Sequence, residues 1–240
     1  MGPGSFEKFP YPSSVYSPRG HQMLRTYAIG DIHGCLNKLQ YLIKRCQRDA
    51  GKRPAKFVFL GDYIDRGPDS RGVIEFLVDL QSQQPDLTVC LAGNHEELAL
   101  AALCAGQHEK WLRNGGNETL RSYGISSLAD FPPHHIDWFN TLIDQHDDGR
   151  RLFVHAGINP LRPLDQQDDH DLRWMREPFL SDDHDYGRLI VHGHTPLQTD
   201  LPDQRHNRLN LDTGAVYGGP LTAAVFDDRS TTPLRFLQAF

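Results

Sequence analysis

Three times in the first half of the chain, a short apolar run stops at a glycine and gives way to acid, amide or imidazole side chains. Thr26 to Ile29 stops at Gly30, Lys56 to Leu60 at Gly61, and Leu87 to Ala92 at Gly93. A helical stripe follows each one. Leu36, Leu39, Leu42, Ile43 and Cys46 share one face of residues 36 to 46; Val73, Ile74, Leu77 and Val78 share one face of residues 70 to 80. Glu96 to Ala105 reads as the third helix. Strand–loop–helix units in series predict an α/β fold, which presents its chemistry on loops at the carboxyl ends of strands.

The second half is richer in strands. Arg151 to Val154, Arg188 to Val191, Arg208 to Leu211, Leu221 to Phe226 and Leu234 to Leu237 read as strands, with helices near Glu118 to Tyr123 and Ile136 to Gln145 between the halves. A two-layered β core flanked by helices is the expected packing. The 240 residues suffice for one large domain, taken here as residues 23 to 240. Residues 1 to 22 are rich in Pro, Ser and Gly and read as a flexible leader, either an expression tag with Met23 as the native start or a natural tail. Gly2-Pro3-Gly4-Ser5 looks like a cloning scar.

Several function classes fall away. The net charge is -6 and the basic residues are scattered, which argues against a nucleic-acid surface. No run approaches the about 18 apolar residues of a membrane-spanning helix. Cys35, Cys46, Cys90 and Cys104 form no CxxC pair, so buried free thiols and a cytoplasmic location are expected.

What remains is a constellation of ligands. Gly30-Asp31-Ile32-His33-Gly34, Gly61-Asp62-Tyr63-Ile64-Asp65-Arg66-Gly67, Gly93-Asn94-His95-Glu96, His155-Ala156-Gly157 and Gly193-His194-Thr195-Pro196 each sit at a predicted strand end. A Gly-Asp pair alone is an ordinary turn; five such ends bearing carboxylate, amide and imidazole are not. The set contains no thiolate, which suits Mn, Fe or Zn in an oxygen and nitrogen site. It also exceeds what one ion needs, so two divalent ions are expected, Mn foremost. Asp31 and His33 point the same way from an extended segment and share one ion. Asp62 bridges, and Asn94, His155 and His194 complete the second. Two ions about 3.5–4 Å apart activate a shared water and hold a phosphoryl group. His95 is the candidate acid for the leaving oxygen, Asp65 holds its imidazole, and Arg66 offers a guanidinium to phosphate.

These residues resemble the phosphoprotein phosphatase family, whose three leading motifs occur here in the same order. Phe153-Val154-His155-Ala156-Gly157, Trp174-Met175-Arg176, and Val191 to Pro196 match its later elements. Asn114-Gly115-Gly116 and Asp212 to Tyr217 look like its short bacterial and phage-lambda branch. The resemblance implies a metallophosphatase-type β-sandwich flanked by helices, with a dinuclear site at one edge. It repeats the ligand assignment above and adds Arg176 as a second phosphate-binding arginine, with Asn94 also facing the phosphate. The implied activity is hydrolysis of phosphate monoesters on Ser or Thr, and potentially Tyr, by a metal-bound hydroxide.

The implied partner is a phosphorylated protein or peptide, with no nucleic acid, no membrane and a monomeric enzyme. The alternative is a dinucleoside polyphosphate hydrolase, such as the bacterial symmetrical diadenosine tetraphosphatases, which share the first and third motifs but typically lack the Asp of the Asp-Arg pair. Asp65-Arg66 and Glu96 favour the protein substrate. A dead phosphoprotein-binding module would have lost a ligand or the acid, and none is missing. His192 is expected to pack rather than ligate, and Tyr217 to pack or touch substrate. His108, His134, His135, His170, His184 and His206 are expected at the surface.

Overall fold

The computed structural model describes residues 23–240; the expected leader lies outside the described residues. Strands β1 (Arg25–Ile29), β2 (Ala55–Phe59) and β3 (Thr88–Cys90) are followed by helices α1 (Leu36–Ala50), α2 (Ser70–Gln83) and α3 (Asn94–Ala105), as the three-fold pattern predicts. Helices α4 (His108–Trp111), α5 (Asn117–Tyr123) and α6 (Pro133–Phe139) come next. The second half holds β4 (Gln145–Asp147), β5 (Arg151–Val154), α7 (Asp169–Trp174), β6 (Leu189–His192), β7 (Asp203–Gln204), β8 (Arg208–Asn210), β9 (Leu221–Asp227) and β10 (Arg235–Ala239).

The strands form two five-stranded sheets, ordered β10-β9-β1-β2-β3 and β4-β5-β6-β8-β7. Strands β1, β2 and β3 run parallel, as do β5, β6 and β8. Antiparallel strands finish the edges. A parallel sheet buried on both faces needs unbroken apolar runs, and all five residues of β1 are buried. Alternation then divides the layers. Ala28, Val58, Ala224 and Phe226 meet Phe153, Val191 and Leu209 between the sheets. Tyr27, Ile29, Phe57 and Phe59 face the other way, onto Leu39, Leu42, Val73 and Leu77 of α1 and α2. On the outer face of the second sheet, Leu152, Val154 and Ile190 pack under Leu172 and Phe179.

Three expectations need correction. The helix expected near Ile136 to Gln145 ends at Phe139, and Gln145–Asp147 is instead an edge strand paired with β5. Pro132 and Pro133 start the helix early. Asn140 Nδ2 and the Thr141 hydroxyl then donate to the carbonyls of Ile136 and Trp138 at its end. The strand forms because β5 offers a free edge, a tertiary preference that periodicity does not carry. The cysteines are free, but only Cys46 and Cys90 are buried; Cys104 is exposed. His135 is buried, 2% exposed, while the other five histidines expected at the surface are exposed.

His135 Nδ1 lies 2.7 Å from the Tyr123 hydroxyl. Burial and the neighbouring His134 lower its pKa from 6.5 to about 4. Between those values the unfolded chain binds a proton that the folded chain refuses, so stability falls as pH drops through this window. Melting temperatures measured from pH 7 to pH 4 should therefore fall less steeply for His135→Gln than for the parent, by the linkage of about one proton. Parallel curves would show that His135 titrates normally in the fold.

Candidate metal centre

Parallel pairing within each sheet sends the carboxyl ends of its strands the same way, and the side chains that follow β1, β2, β3, β5 and β6 converge. His33, Asp62 and His95 form one group whose ligand atoms all lie within 4.8 Å of one another; Asp62, His155 and His194 form another, and all five residues are buried. Asp62 belongs to both. Its Oδ2 is 3.4 Å from His33 Nε2 and 3.9 Å from His95 Nε2, whereas its Oδ1 is 3.4 Å from His155 Nε2. Asn94 Oδ1 joins the second group, 2.9 Å from His155 Nε2 and 2.8 Å from His194 Nδ1.

Asn94 and His95 are placed by a helix rather than a loop, because α3 begins at Asn94. The Gly93 N–H donates to Glu96 Oε2 at 3.0 Å, closing the first turn. The other motif residues sit on backbone that few side chains adopt. His33, Asp62, Asp65, Arg66 and His194 have φ of 43°, 54°, 73°, 65° and 64°. Each costs on the order of 1–3 kcal/mol and persists only where the surroundings impose it. Here the Ile32 and His33 N–H groups donate to the Asp62 carbonyl at 3.0 and 2.9 Å. Glycine is required at the crossing points: a Cβ on Gly67 would lie 1.8 Å from the His33 carbonyl oxygen, and one on Gly93 2.2 Å from Asp62 Oδ1.

The donor set fits cations. His33 and His155 spend Nδ1–H on the carbonyls of Ile64 (2.7 Å) and Leu60 (2.8 Å). Each Nε2 is thereby left as a lone pair directed into the cluster. For His155 that lone pair faces Asn94 Oδ1 and Asp62 Oδ1, an arrangement of acceptors that a positive ion satisfies. At His33 a stand-in is present, since the Arg66 guanidinium donates from Nη1 to Nε2 at 2.7 Å. Burial keeps the imidazoles neutral, lowering His33 to about 3 and His194 to about 2, and lowering His155 as well. Burial works against the Asp62 carboxylate too, but His155, His95, His33 and His194 outweigh it and hold that pKa far below the usual range.

Asp31 joins neither group. Both its oxygens accept from the His194 N–H at 3.1 Å. Burial, Asp212 and Asp62 push its pKa well up, and burial pushes Asp212 to about 6. Negative charge so crowded is relieved by a proton or a metal ion. Arg176 is exposed at the rim, its Nη2 3.5 Å from the His194 carbonyl. His192 packs its ring against Phe179 at 5.1 Å and stays outside both groups, as expected. Tyr217 is 63% exposed, with the Arg66 guanidinium 5.9 Å from its ring centre.

His95 Nδ1 meets Asp65 Oδ2 at 2.6 Å. Burial favours the neutral ring, but Asp62 and Asp65 more than offset it and raise the His95 pKa. Burial likewise raises Asp65, with the bonds from His95, Thr119 and Trp111 opposing it. Four contributors went unread in the sequence: Asp212, Trp111, Thr119 and the structural task of Glu96. Glu96 is 1% exposed and accepts from the N–H groups of Asp62 (2.9 Å), Tyr63 (2.8 Å) and Gly93 (3.0 Å). It is therefore a clamp between the segments that follow β2 and β3. Trp111, Gly115 and Thr119, four residues apart on the chain, are a signal that periodicity could have given.

Two mixed sheets, helices outside and a buried oxygen–nitrogen cation site at the strand ends define a metallophosphoesterase. The chain belongs to the calcineurin-like phosphoesterase family, whose sequence model matches residues 24–225. It is 31% identical over 212 residues to serine/threonine-protein phosphatase 1 of Salmonella typhimurium, covering 82% of this chain and 90% of that protein. It is 29% identical to the asymmetrical bis(5'-nucleosyl)-tetraphosphatase PrpE of Anoxybacillus flavithermus, covering 85% and 91%. With the symmetrical bis(5'-nucleosyl)-tetraphosphatase of Pseudomonas fluorescens it shares 34% identity, over 57% of this chain and only 44% of the relative. A solved protein serine/threonine phosphatase from Saccharomyces cerevisiae has the same fold, with TM-score 0.61 and 15% identity over 91% of this chain and 80% of that one.

If Asp62 joins the two ion sites, Asp62→Asn should weaken metal binding by more than the roughly 10–100-fold that loss of a supporting residue costs. Equilibrium dialysis against Mn²⁺ with elemental analysis measures this. Parent-like stoichiometry and affinity in Asp62→Asn would contradict a bridge.

Proposed function

We propose that this metallophosphoesterase is a protein phosphatase, acting as a cytoplasmic monomer with two divalent ions, Mn foremost, on phosphorylated protein or peptide. What carries the reading is the dyad of His95 and Asp65, 2.6 Å apart and 1% and 0% exposed at their side chains. A serine, threonine or tyrosine side chain leaves as a strongly basic oxyanion that needs a proton. A nucleotide leaving group is already a stable anion and gains far less from an acid. A buried imidazole with one nitrogen fixed and the other turned toward the metal ligands suits the first task.

The placement of the side chains supports a division of labour. When bound, the ions would supply an activated water and neutralise phosphoryl oxygens; His33, Asp62, Asn94, His155 and His194 would hold them, with Asp31, tied to the His194 N–H, as the remaining ligand. Arg66 and Arg176 bind the phosphate from the open side, Arg66 in a planar, bidentate manner. Asn94, at the N-terminus of α3, also faces the phosphate. His95 gives its Nε2 proton to the leaving oxygen while Asp65 keeps Nδ1–H in place and stabilises the charge before transfer. Trp174 lies beside His194, their ring centres 6.2 Å apart.

The second reading is dinucleoside polyphosphate hydrolysis. The near full-length similarity to an asymmetrical tetraphosphatase favours it, as does the exposed Tyr217 ring beside Arg66, a surface on which a base can stack.

Metal-stripped protein, with Mn²⁺ restored, should release phosphate from phosphoserine, phosphothreonine or phosphotyrosine peptides faster than it cleaves diadenosine tetraphosphate. Cleavage of the dinucleotide alone would replace the first reading by the second. His95→Asn should bind metal normally and turn over peptide about 10²–10⁴-fold more slowly. Full activity in that variant would remove His95 from the reaction.

A further inference from the structure

The Asn114-Gly115-Gly116 motif is not absorbed by the metal ligands, and neither is the tryptophan before it. Trp111 is completely buried. An indole N–H is a donor only and, once buried, needs an acceptor. The acceptor here is a carboxylate: Trp111 Nε1 lies 3.0 Å from Oδ1 and 3.0 Å from Oδ2 of Asp65. The Thr119 hydroxyl donates to Oδ1 at 2.7 Å, and His95 Nδ1–H to Oδ2 at 2.6 Å. Three donors from three directions thus fix the plane of one carboxylate. Thr119 also grips the backbone, since the Asp65 N–H reaches Thr119 Oγ1 at 2.9 Å and Ser70 Oγ at 3.0 Å.

The intervening residues serve the same end. Leu112–Gly116 kinks the chain between α4 and α5, with Gly115 at φ 109°, a left-handed backbone that glycine adopts freely. It brings the Gly115 carbonyl to the Arg66 N–H at 3.3 Å. A Cβ on Gly115 would fall 2.6 Å from the Arg66 nitrogen, and one on Gly116 2.7 Å from the Trp111 ring. Both glycines are needed for the segment to lie against Asp65-Arg66. Trp111, Gly115 and Thr119 therefore each reach this one dipeptide, across a chain separation of about fifty residues.

We infer that Trp111 and Thr119 are positioning residues for proton transfer, locking the Asp65 carboxylate on His95 Nδ1 so that Nε2 stays aimed at the leaving oxygen. The inference rests on the acid role proposed for His95. A carboxylate deprived of either donor can turn about its terminal bond, and the imidazole loses its fixed orientation. Neither residue touches substrate. Their removal should therefore matter only where the leaving group needs a proton.

Aryl phosphates of graded leaving group separate this from a packing role. Trp111→Phe keeps the ring and removes the N–H; Thr119→Val removes the hydroxyl at nearly constant shape; Thr119→Ser restores the hydroxyl. With the full chain loaded with Mn²⁺, kcat on phenyl phosphate should fall about 10–100-fold in Trp111→Phe and Thr119→Val, within the 10²–10⁴-fold worth of a general acid. On 2,4-dinitrophenyl phosphate, whose leaving group needs no proton, both should stay within about 3-fold of the parent. Thr119→Ser should behave as the parent on both, and metal content should be unchanged throughout.

Equal losses on the two substrates, or none on phenyl phosphate, overturn the inference. Should Trp111→Phe fail to fold, the Thr119→Val and Thr119→Ser pair decides it alone. His95→Asn run alongside locates any failure. A selective loss in His95→Asn without one in the Trp111 and Thr119 variants sinks only the positioning role. No selective loss in His95→Asn itself sinks the acid reading and the inference with it.

Discussion

One buried carboxylate, Asp62, organises this molecule. At 2% exposure it has no water to solvate it, and its two oxygens face histidines on opposite sides. An isolated buried charge is prohibitively costly. The fold compensates with partners: the His95 N–H donates to Oδ1 at 3.0 Å, and four imidazoles lower the carboxyl pKa. The backbone around it is committed in the same way, with its N–H on Glu96 and its carbonyl receiving Ile32 and His33. Moving Asp62 would disturb three strand ends together.

That commitment explains why the scaffold is so heavily buried. Left-handed backbone at five site residues costs on the order of 1–3 kcal/mol each. A fully buried Val, Leu, Ile or Phe contributes about 1.5–3 kcal/mol. The apolar layer between the sheets and the one beneath α1 and α2 are the favourable burial against which this strain is set. Loops alone would relax to ordinary turns. Glu96 adds a direct tie between the β2 and β3 ends, which keeps Asp62 in register with Asn94 and His95.

The electrostatics divide the site into two regions. At His33, His155 and His194 burial lowers the pKa and favours the neutral ring, the state in which imidazole can bind a cation. At His95 burial also favours the neutral ring, but Asp62 and Asp65 more than offset it. Chemically identical side chains, a few ångströms apart, are thus shifted in opposite directions by what surrounds them. The His33 and His95 rings lie only 4.7 Å apart, centre to centre.

Much of this was legible from the residues. Apolar runs ending in Gly30, Gly61 and Gly93 announced parallel strands with chemistry at their tips, because a strand buried on both faces must be apolar throughout. His33, Asp62, His155 and His194 were legible as a cluster of groups able to bind a metal ion, since few structural tasks need so many oxygen and nitrogen donors after strands. The sequence could not reveal that Gln145–Asp147 would pair with β5, or that His135 would lie beside Tyr123. Nor could it show Trp111 and Thr119 closing on Asp65, or Glu96 acting as a backbone clamp. Local sequence determines which residues can form a strand, turn or helix. Which buried donor finds which buried acceptor depends on segments far apart in the chain, and only the packed tertiary structure, where every polar group excluded from water needs a partner, decides it.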